Sequence, residues 1–239
     1  MNVTLIARTP EPELLVYKAA KVCISNEPIN EIWNNEEKII KTIETIIRQG
    51  HLSVLEHVSF TFGIEGISRA CLAQLTRHRL ASFSVRSQRY VNSEFDEWVY
   101  PEDFKLDDNA WQIFASASDD SRENYHLLVD HYGHNIEDAR YLLPQATTTS
   151  LMMTMNAREL LHFFGLRCCM KAQWEIRELA YKMLDLVKPV APNIFKNAGA
   201  QCDQDGFCRQ DNSCKRTIHI NKLKKYAVFG GADIKEESQ

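Results

Sequence analysis

The chain has 239 residues, enough to bury a core as one large domain or two small ones. Apolar residues make up 44%, charged residues 25%, and the net charge is −4, the profile of a soluble globular protein rather than of a generally basic nucleic-acid binder. No run of about eighteen apolar residues offers a membrane span, and MNVTLIARTPEPELL lacks the basic-then-apolar order of a secretory signal, which predicts a cytoplasmic protein with reduced cysteines.

In chain order, NVTLIA (2–7) reads as a first strand. Residues 36–49 set Ile39, Ile40, Ile43, Ile46 and Ile47 on one helical face. GHLSVLEH (50–57) then leads into a stretch where Val58, Phe60, Phe62 and Ile64 alternate with small or polar residues, the pattern of a half-buried strand. Residues 67–78 predict a helix carrying Leu72 and Leu75, and FSVRSQRYV (83–91) alternates again, as the exposed lip of a sheet. Residues 109–142 are mostly helical in pattern, stopped by Pro144. TTTSLMMTM (147–155) is β-branched at its start and reads as a strand. Asn156, with Glu159 three residues on, then resembles a capping box opening a helix. From Gln173 to Val187 the apolar residues Ile176, Leu179, Ala180, Met183, Leu184 and Val187 share one face, and VKPVAP ends the helix. There is no internal repeat and no regular strand–helix–strand beat, so the expectation is a mixed α/β (α+β) fold in a single domain over 1–220, followed by a polar tail, 221–239.

Charge is distributed unevenly. From Gly66 to Ser93 there is no Asp or Glu, yet Arg69, Arg77, Arg79, Arg86 and Arg89 fall there. A solvated surface normally interleaves both signs. Guanidinium forks bind phosphate at two points, with serine hydroxyls completing the shell, so this run points to an external anion; the alternative is a surface strand paired with acids elsewhere in the fold. Arg158 and His162 lie four apart just after the Asn156 cap, on one helix face at the positive end of the helix dipole. Arg167, in GLRCCMKAQWEIR, sits among apolar and cysteine neighbours and needs a partner, either a ligand or a core carboxylate such as Glu175.

The histidines of GHLSVLEH are six positions apart, which does not put both on one helical turn, so a ligand-facing loop is expected there rather than a metal. Cys202, Cys208, Cys214 and His219 are a weak zinc candidate, because paired C-x-x-C knuckles are missing; thiols without metal are the default. Cys168 and Cys169 are adjacent and point different ways, as core residues. The Rossmann, P-loop, zincin and nucleophile-elbow signatures are all absent.

Together these segments resemble the flavin-dependent thymidylate synthases. RHR followed by Ser82 and by Ser87-Gln88-Arg89 is similar to that family's signature. GHLSVLEHVSFTF, DARYLLP and NARELLHFFGLRCCMKAQWEIRELA resemble its other blocks, in family order from about residue 1 to 198. The resemblance implies a largely antiparallel sheet flanked by helices, in a homotetramer with active sites shared between subunits. It implies reductive methylation of dUMP to dTMP, with carbon from methylenetetrahydrofolate, reducing equivalents from NADPH through FAD, and no cysteine nucleophile. No Pro-Cys-His segment is present here.

Carried over by position, the resemblance assigns Ser53, Arg77, His78, Arg79, Asn156, Arg158 and His162 to FAD. It assigns Gln74, Ser87, Gln88, Arg89 and Arg140 to dUMP, Arg167 to the uracil as the essential arginine, and His51 to the vicinity of flavin and folate. Where many members have Asn-Glu, this chain has Ser84-Val85, so that glutamate's contacts do not transfer. Two other classes compete: a polyanion- or RNA-binding module using the arginine strand, and a structural zinc protein. Few aromatics interleave the arginines for base stacking, and the net charge is acidic, against the first; poor cysteine spacing weighs against the second. Neither nucleic acid nor membrane is therefore expected as a partner.

Overall fold

The structure is a computed structural model that describes residues 1–91, 98–208 and 214. In order its elements are β1 (Asn2–Arg8), α1 (Pro12–Val22), α2 (Glu36–Gln49), β2 (Ser59–Ser68), α3 (Arg69–Leu75) and β3 (Ala81–Val85). There follow α4 (Glu102–Lys105), α5 (Asp108–His126), α6 (Ile136–Ala139), β4 (Thr148–Asn156), α7 (Ala157–Arg167), α8 (Trp174–Val187) and α9 (Gln201–Asp205).

The alternation seen in the sequence becomes a sheet with one dry face. The strand order is β1-β2-β4-β3 and every pairing is antiparallel. Phe60, Phe62 and Ile64 of β2 are fully buried, and the register sets Phe60 opposite Met155 and Phe62 opposite Met153. Each such side chain contributes roughly 1.5–3 kcal/mol by leaving water. Against this face pack Leu160, Phe163 and Phe164 of α7 and Ile176, Leu179 and Met183 of α8, all fully buried. The other face is polar and open: Thr61 and Thr154 share a hydroxyl hydrogen bond of 2.9 Å across the central pair, while Thr4, Ile6 and Met152 are exposed. A bulge between Glu65 and Ile67, with Gly66 at φ 70°, lets Ile67 and Ser68 both turn inward and hands the chain to α3.

The expected fold is mixed α/β, and the structure has it as a four-stranded antiparallel sheet flanked by helices. Four details differ from expectation. The third strand stops at Val85: Arg86 N–H still bonds Ser150 C=O at 2.8 Å, but residues 87–90 then turn, with Arg89 N–H donating to Ser87 Oγ. The helical stretch 109–142 is broken, because Gly133 at φ 70° ends one helix and Asn135 caps the next. The helix foreseen at 67–78 spans only 69–75, followed by a turn in which His78 N–H bonds Leu75 C=O. α1 is a helix beyond those expected, with Pro12 at its start and Val16 and Tyr17 buried on its inner face. The tail 221–239 and His219 lie outside the described residues. Among the described residues no helix is long and apolar enough to cross a membrane.

Candidate active site

The end of α3 and one face of α7 meet at a chain of polar contacts. Arg167 Nε–H donates to His78 Nε2 at 3.0 Å, and His78 Nδ1 lies 3.2 Å from Glu159 Oε1. His78 and Glu159 are buried, at 5% and 7% exposure. Phe163 packs edge-on to the imidazole with ring centroids 5.0 Å apart, and the His162 ring lies 6.0 Å away. Arg167 Nη2 reaches the Gln74 carbonyl at 3.4 Å. Burial first, and then the Arg77 charge, press the Arg167 guanidinium below its ordinary value, but an arginine stays a cation in a protein. Among the described residues no carboxylate pairs with it.

A second group of cations gathers where α3 begins and α6 ends. Arg69 is half-buried; one terminal nitrogen donates to the Arg86 carbonyl at 3.2 Å, while its buried Nε has no partner. Burial, and then the charge of Arg140, lower the Arg69 value. Arg89 is exposed and pairs with Glu137 at 2.6 Å, a rim contact that an anion can displace at little cost. Two half-buried guanidinium groups are close enough to repel, and one of them has an unused donor.

A third group lies where the turn Leu52–His57 packs on α7. Asn156 caps α7 by accepting from Glu159 N–H at 2.8 Å, and Arg158 Nη1 donates to Glu56 Oε1. Arg158, His162, Ser53 and His51 are exposed, as are Arg77 and Arg79 after α3. The capping box is only half made, since the Glu159 side chain goes to His78.

One reading of the sequence is corrected. Arg167 does not pair with Glu175; that carboxylate is 2% exposed and accepts from Ser68 N–H and Ser68 O–H at 2.6 and 2.5 Å, joining α8 to the start of α3. Val85, which stands where many family members have Glu, is half-buried and packs against the main hydrophobic cluster. Cys168 is fully buried, whereas Cys169 is half-buried. Among the described residues no cluster of three potential metal ligands includes Cys202, Cys208 or Cys214; the one cluster found is His78, Glu159 and His162.

The family model described as "Thymidylate synthase complementing protein" matches residues 4–193. The chain is 46% identical over 228 residues to a flavin-dependent thymidylate synthase of Geobacter sulfurreducens, covering 93% of this chain and 97% of that one. The chain belongs to the flavin-dependent thymidylate synthase family. A second member, from Clostridium tetani, is 40% identical over 240 residues, covering 93% and 96%. Among solved structures, thymidylate synthase X of Helicobacter pylori, with FAD and dUMP, aligns with a TM-score of 0.69 at 27% identity, covering 83% of this chain and 98% of that one. The UMP/dUMP methylase PolB of Streptomyces cacaoi, bound with 5-Br dUMP, aligns with a TM-score of 0.70 at 28% identity, covering 82% and 93%.

Within this family frame, the resemblance motifs fall into the three groups described: Gln74, His78 and Arg167 in the first, Arg89 and Arg140 in or beside the second, Ser53, Asn156, Arg158 and His162 in the third. Sequence reasoning counted Arg69 in the acid-free run but gave it no role, and read Glu159 only as a cap. The signal for Arg69 was its place in the acid-free run at the start of a helical pattern; no signal in the sequence tied Glu159 to His78, eighty-one positions away.

Proposed function

We propose that this enzyme converts dUMP to dTMP by reductive methylation, taking its carbon from methylenetetrahydrofolate and its reducing equivalents from NADPH through bound FAD. It works in the cytoplasm as a homotetramer whose active sites are shared between subunits. The observation that carries this reading is Arg167: a half-buried guanidinium aimed by a neutral imidazole and a carbonyl, with no carboxylate partner among the described residues.

The donor set fits both ligands. FAD brings a diphosphate, for which the exposed Arg77, Arg79 and Arg158 and the α7 N-terminal turn supply cations and amide donors. The dUMP monoester suits Arg140 and Arg89 with Ser87 and Gln88, and the orphaned Arg69 Nε is a further donor of the right kind. When bound, FAD supplies the redox chemistry that methyl formation requires. The chain's own contribution is positioning and charge. Gln74 and Arg167 hold the pyrimidine, and a preorganised guanidinium against its carbonyl edge stabilises negative charge developing on the ring. Arg167 is anchored to His78 through Nε and more loosely to the Gln74 carbonyl through Nη2, which leaves Nη1 to meet the nucleotide. His51, exposed beside the Leu52–His57 turn, belongs to the folate side of the flavin.

A cysteine-free route is supported by the state of a thiol close to Arg167. Cys71 is close enough to feel the Arg167 charge, yet it is fully buried, and burial followed by Glu175 pushes its thiol far up, away from the reactive thiolate.

The test is direct. Purified protein supplied with FAD should show flavin absorbance and form dTMP from dUMP, methylenetetrahydrofolate and NADPH. Protein that takes up no FAD and forms no dTMP overturns the reading. A monomeric mass by light scattering with FAD bound overturns the shared sites.

A further inference from the structure

Glu159 has no part in the function described so far. It is a carboxylate at 7% exposure, its backbone N–H held by Asn156 and its side chain directed at an imidazole rather than at solvent. The chemistry of its partners fixes how the protons lie. The Nε of arginine carries a hydrogen in every state found in proteins, so it only donates. His78 Nε2, 3.0 Å from it, must therefore present a lone pair. The neutral ring then carries its proton on Nδ1, the nitrogen 3.2 Å from Glu159 Oε1. Two donors run in series toward one carboxylate.

We propose that Glu159 is a positioning residue for Arg167: acting through His78, it selects the imidazole tautomer whose Nε2 accepts from Arg167 Nε, and so fixes the direction in which the guanidinium faces the nucleotide. This rests on the reading that Arg167 acts on the pyrimidine of dUMP.

Three further features agree with it. The carboxylate charge increases the basicity of the far ring nitrogen, so the Arg167 bond strengthens, as second-shell carboxylates do for ligating histidines. The opposite tautomer would point Nε2–H at Arg167 Nε–H, donor against donor. A doubly protonated His78 would add charge repulsion. Burial first, and then the Arg167 charge, hold His78 below its ordinary range against the pull of Glu159, so the ring is neutral in neutral solution. The other hold on the guanidinium, from Nη2 to the Gln74 carbonyl, is longer at 3.4 Å, which leaves the His78 contact as the main determinant of its orientation.

The charged and titratable groups facing His78 are Glu159 and His162 from α7 and Arg167 at the end of that helix; Arg77 adjoins it in sequence and acts on Arg167. One potential ligand atom each from His78, Glu159 and His162 lies within 4.8 Å of the others, the spacing of a cation cluster. A guanidinium bonded to one of these rings opposes a divalent ion there.

The experiment compares Glu159→Gln, Glu159→Ala and Arg167→Lys with the parent holoenzyme. Glutamine keeps an acceptor for Nδ1–H but no charge, so kcat should fall about tenfold; alanine loses tautomer control and should cost about a hundredfold. Flavin absorbance should be unchanged in both, and the Kd of dUMP, read by calorimetry, should weaken in the same order. The acid limb of the kcat/KM profile should move to lower pH in Glu159→Gln, because the carboxylate that raised His78 is gone. Lysine has no Nε–H, so adding Glu159→Gln to Arg167→Lys should change kcat by less than about twofold. If Arg167→Ala itself retained turnover, the reading of Arg167 would fail. If Arg167→Ala were inactive while Glu159→Gln kept parental kcat, dUMP affinity and acid limb, the positioning role alone would be overturned. It would also be overturned if Glu159→Gln acted equally in the Arg167→Lys background, which marks a general structural effect. Activity lost to a chelator and restored by Zn²⁺ or Mn²⁺ would assign the cluster to a metal instead.

Discussion

Replacing Glu175 with alanine should both destabilise the protein and loosen the nucleotide site, because this one carboxylate ties α8 to the strand-to-helix corner that launches α3. Glu175 and Ser68 are each 2% exposed. The carboxylate accepts from Ser68 N–H and from Ser68 O–H, and the same Oγ accepts from Cys71 N–H at 2.9 Å as the cap of α3. Alanine strands two buried donors, at about 1–3 kcal/mol each, offset in part by removal of a buried charge; a net loss of about 3 kcal/mol follows. For a chain of this size that corresponds to a fall in Tm of about 6–12 °C. The KM for dUMP should rise, since Gln74 rides on α3. Calorimetry or thermal denaturation of the parent, Glu175→Ala, Ser68→Ala and the double variant measures the effect, with a coupling of at least about 1 kcal/mol expected. Glu175→Ala within about 0.5 kcal/mol of the parent, or purely additive effects, would refute the reasoning. The pH dependence has a defined sign. Burial raises the Glu175 carboxyl, while the Ser68 donors pull it back, Glu178 adds to the rise and the chain's amino terminus opposes it. In the interval between the ordinary carboxylate value and the raised folded value, the folded state binds more protons than the unfolded one. This group therefore adds stability as pH falls through the interval and loses it as pH rises. Glu175→Gln removes that slope.

Arg167→Ala should lower kcat/KM by about 10²–10³ or more while the protein stays yellow; near-parental turnover would exclude its action on the pyrimidine. Arg69→Leu should weaken dUMP binding about tenfold, equivalent to about 1.4 kcal/mol, with deoxyuridine affected far less; equal loss for both would place Arg69 away from the phosphate. Cys71→Ala should fold and still make dTMP, and a folded but inactive variant would contradict the cysteine-free route.

The candidate site could be read from the sequence because its chemistry is carried by residue types in short blocks. An arginine run without acids on a surface that normally mixes both signs stands out as local charge, and Arg77, Arg79 and Arg89 of that run are exposed. The period-two alternation at Val58–Ile64 forced one dry sheet face, and all four apolar residues are fully buried. The helix at 36–49 was equally plain, bounded by the Asn35 cap and by Gly50 at φ 74°. Where the reading failed, local pattern was ambiguous. A strand continued through 86–91 satisfies alternation, but nothing in the pattern shows that β3 leaves β4 after the Val85–Leu151 pair, although β4 itself continues to Thr148.

By itself the sequence determined most of the strands and helices, which faces are apolar, and that arginines crowd residues 66–93 without an acid, because periodicity and charge are local properties of the chain. The tertiary structure decided which acid serves which base. Glu175 went to Ser68 and Glu159 to His78, leaving Arg167 without a carboxylate among the described residues. Those pairings span 81 to 107 positions, and only the antiparallel sheet, with α3, α7 and α8 packed about it, brings their ends within hydrogen-bonding distance.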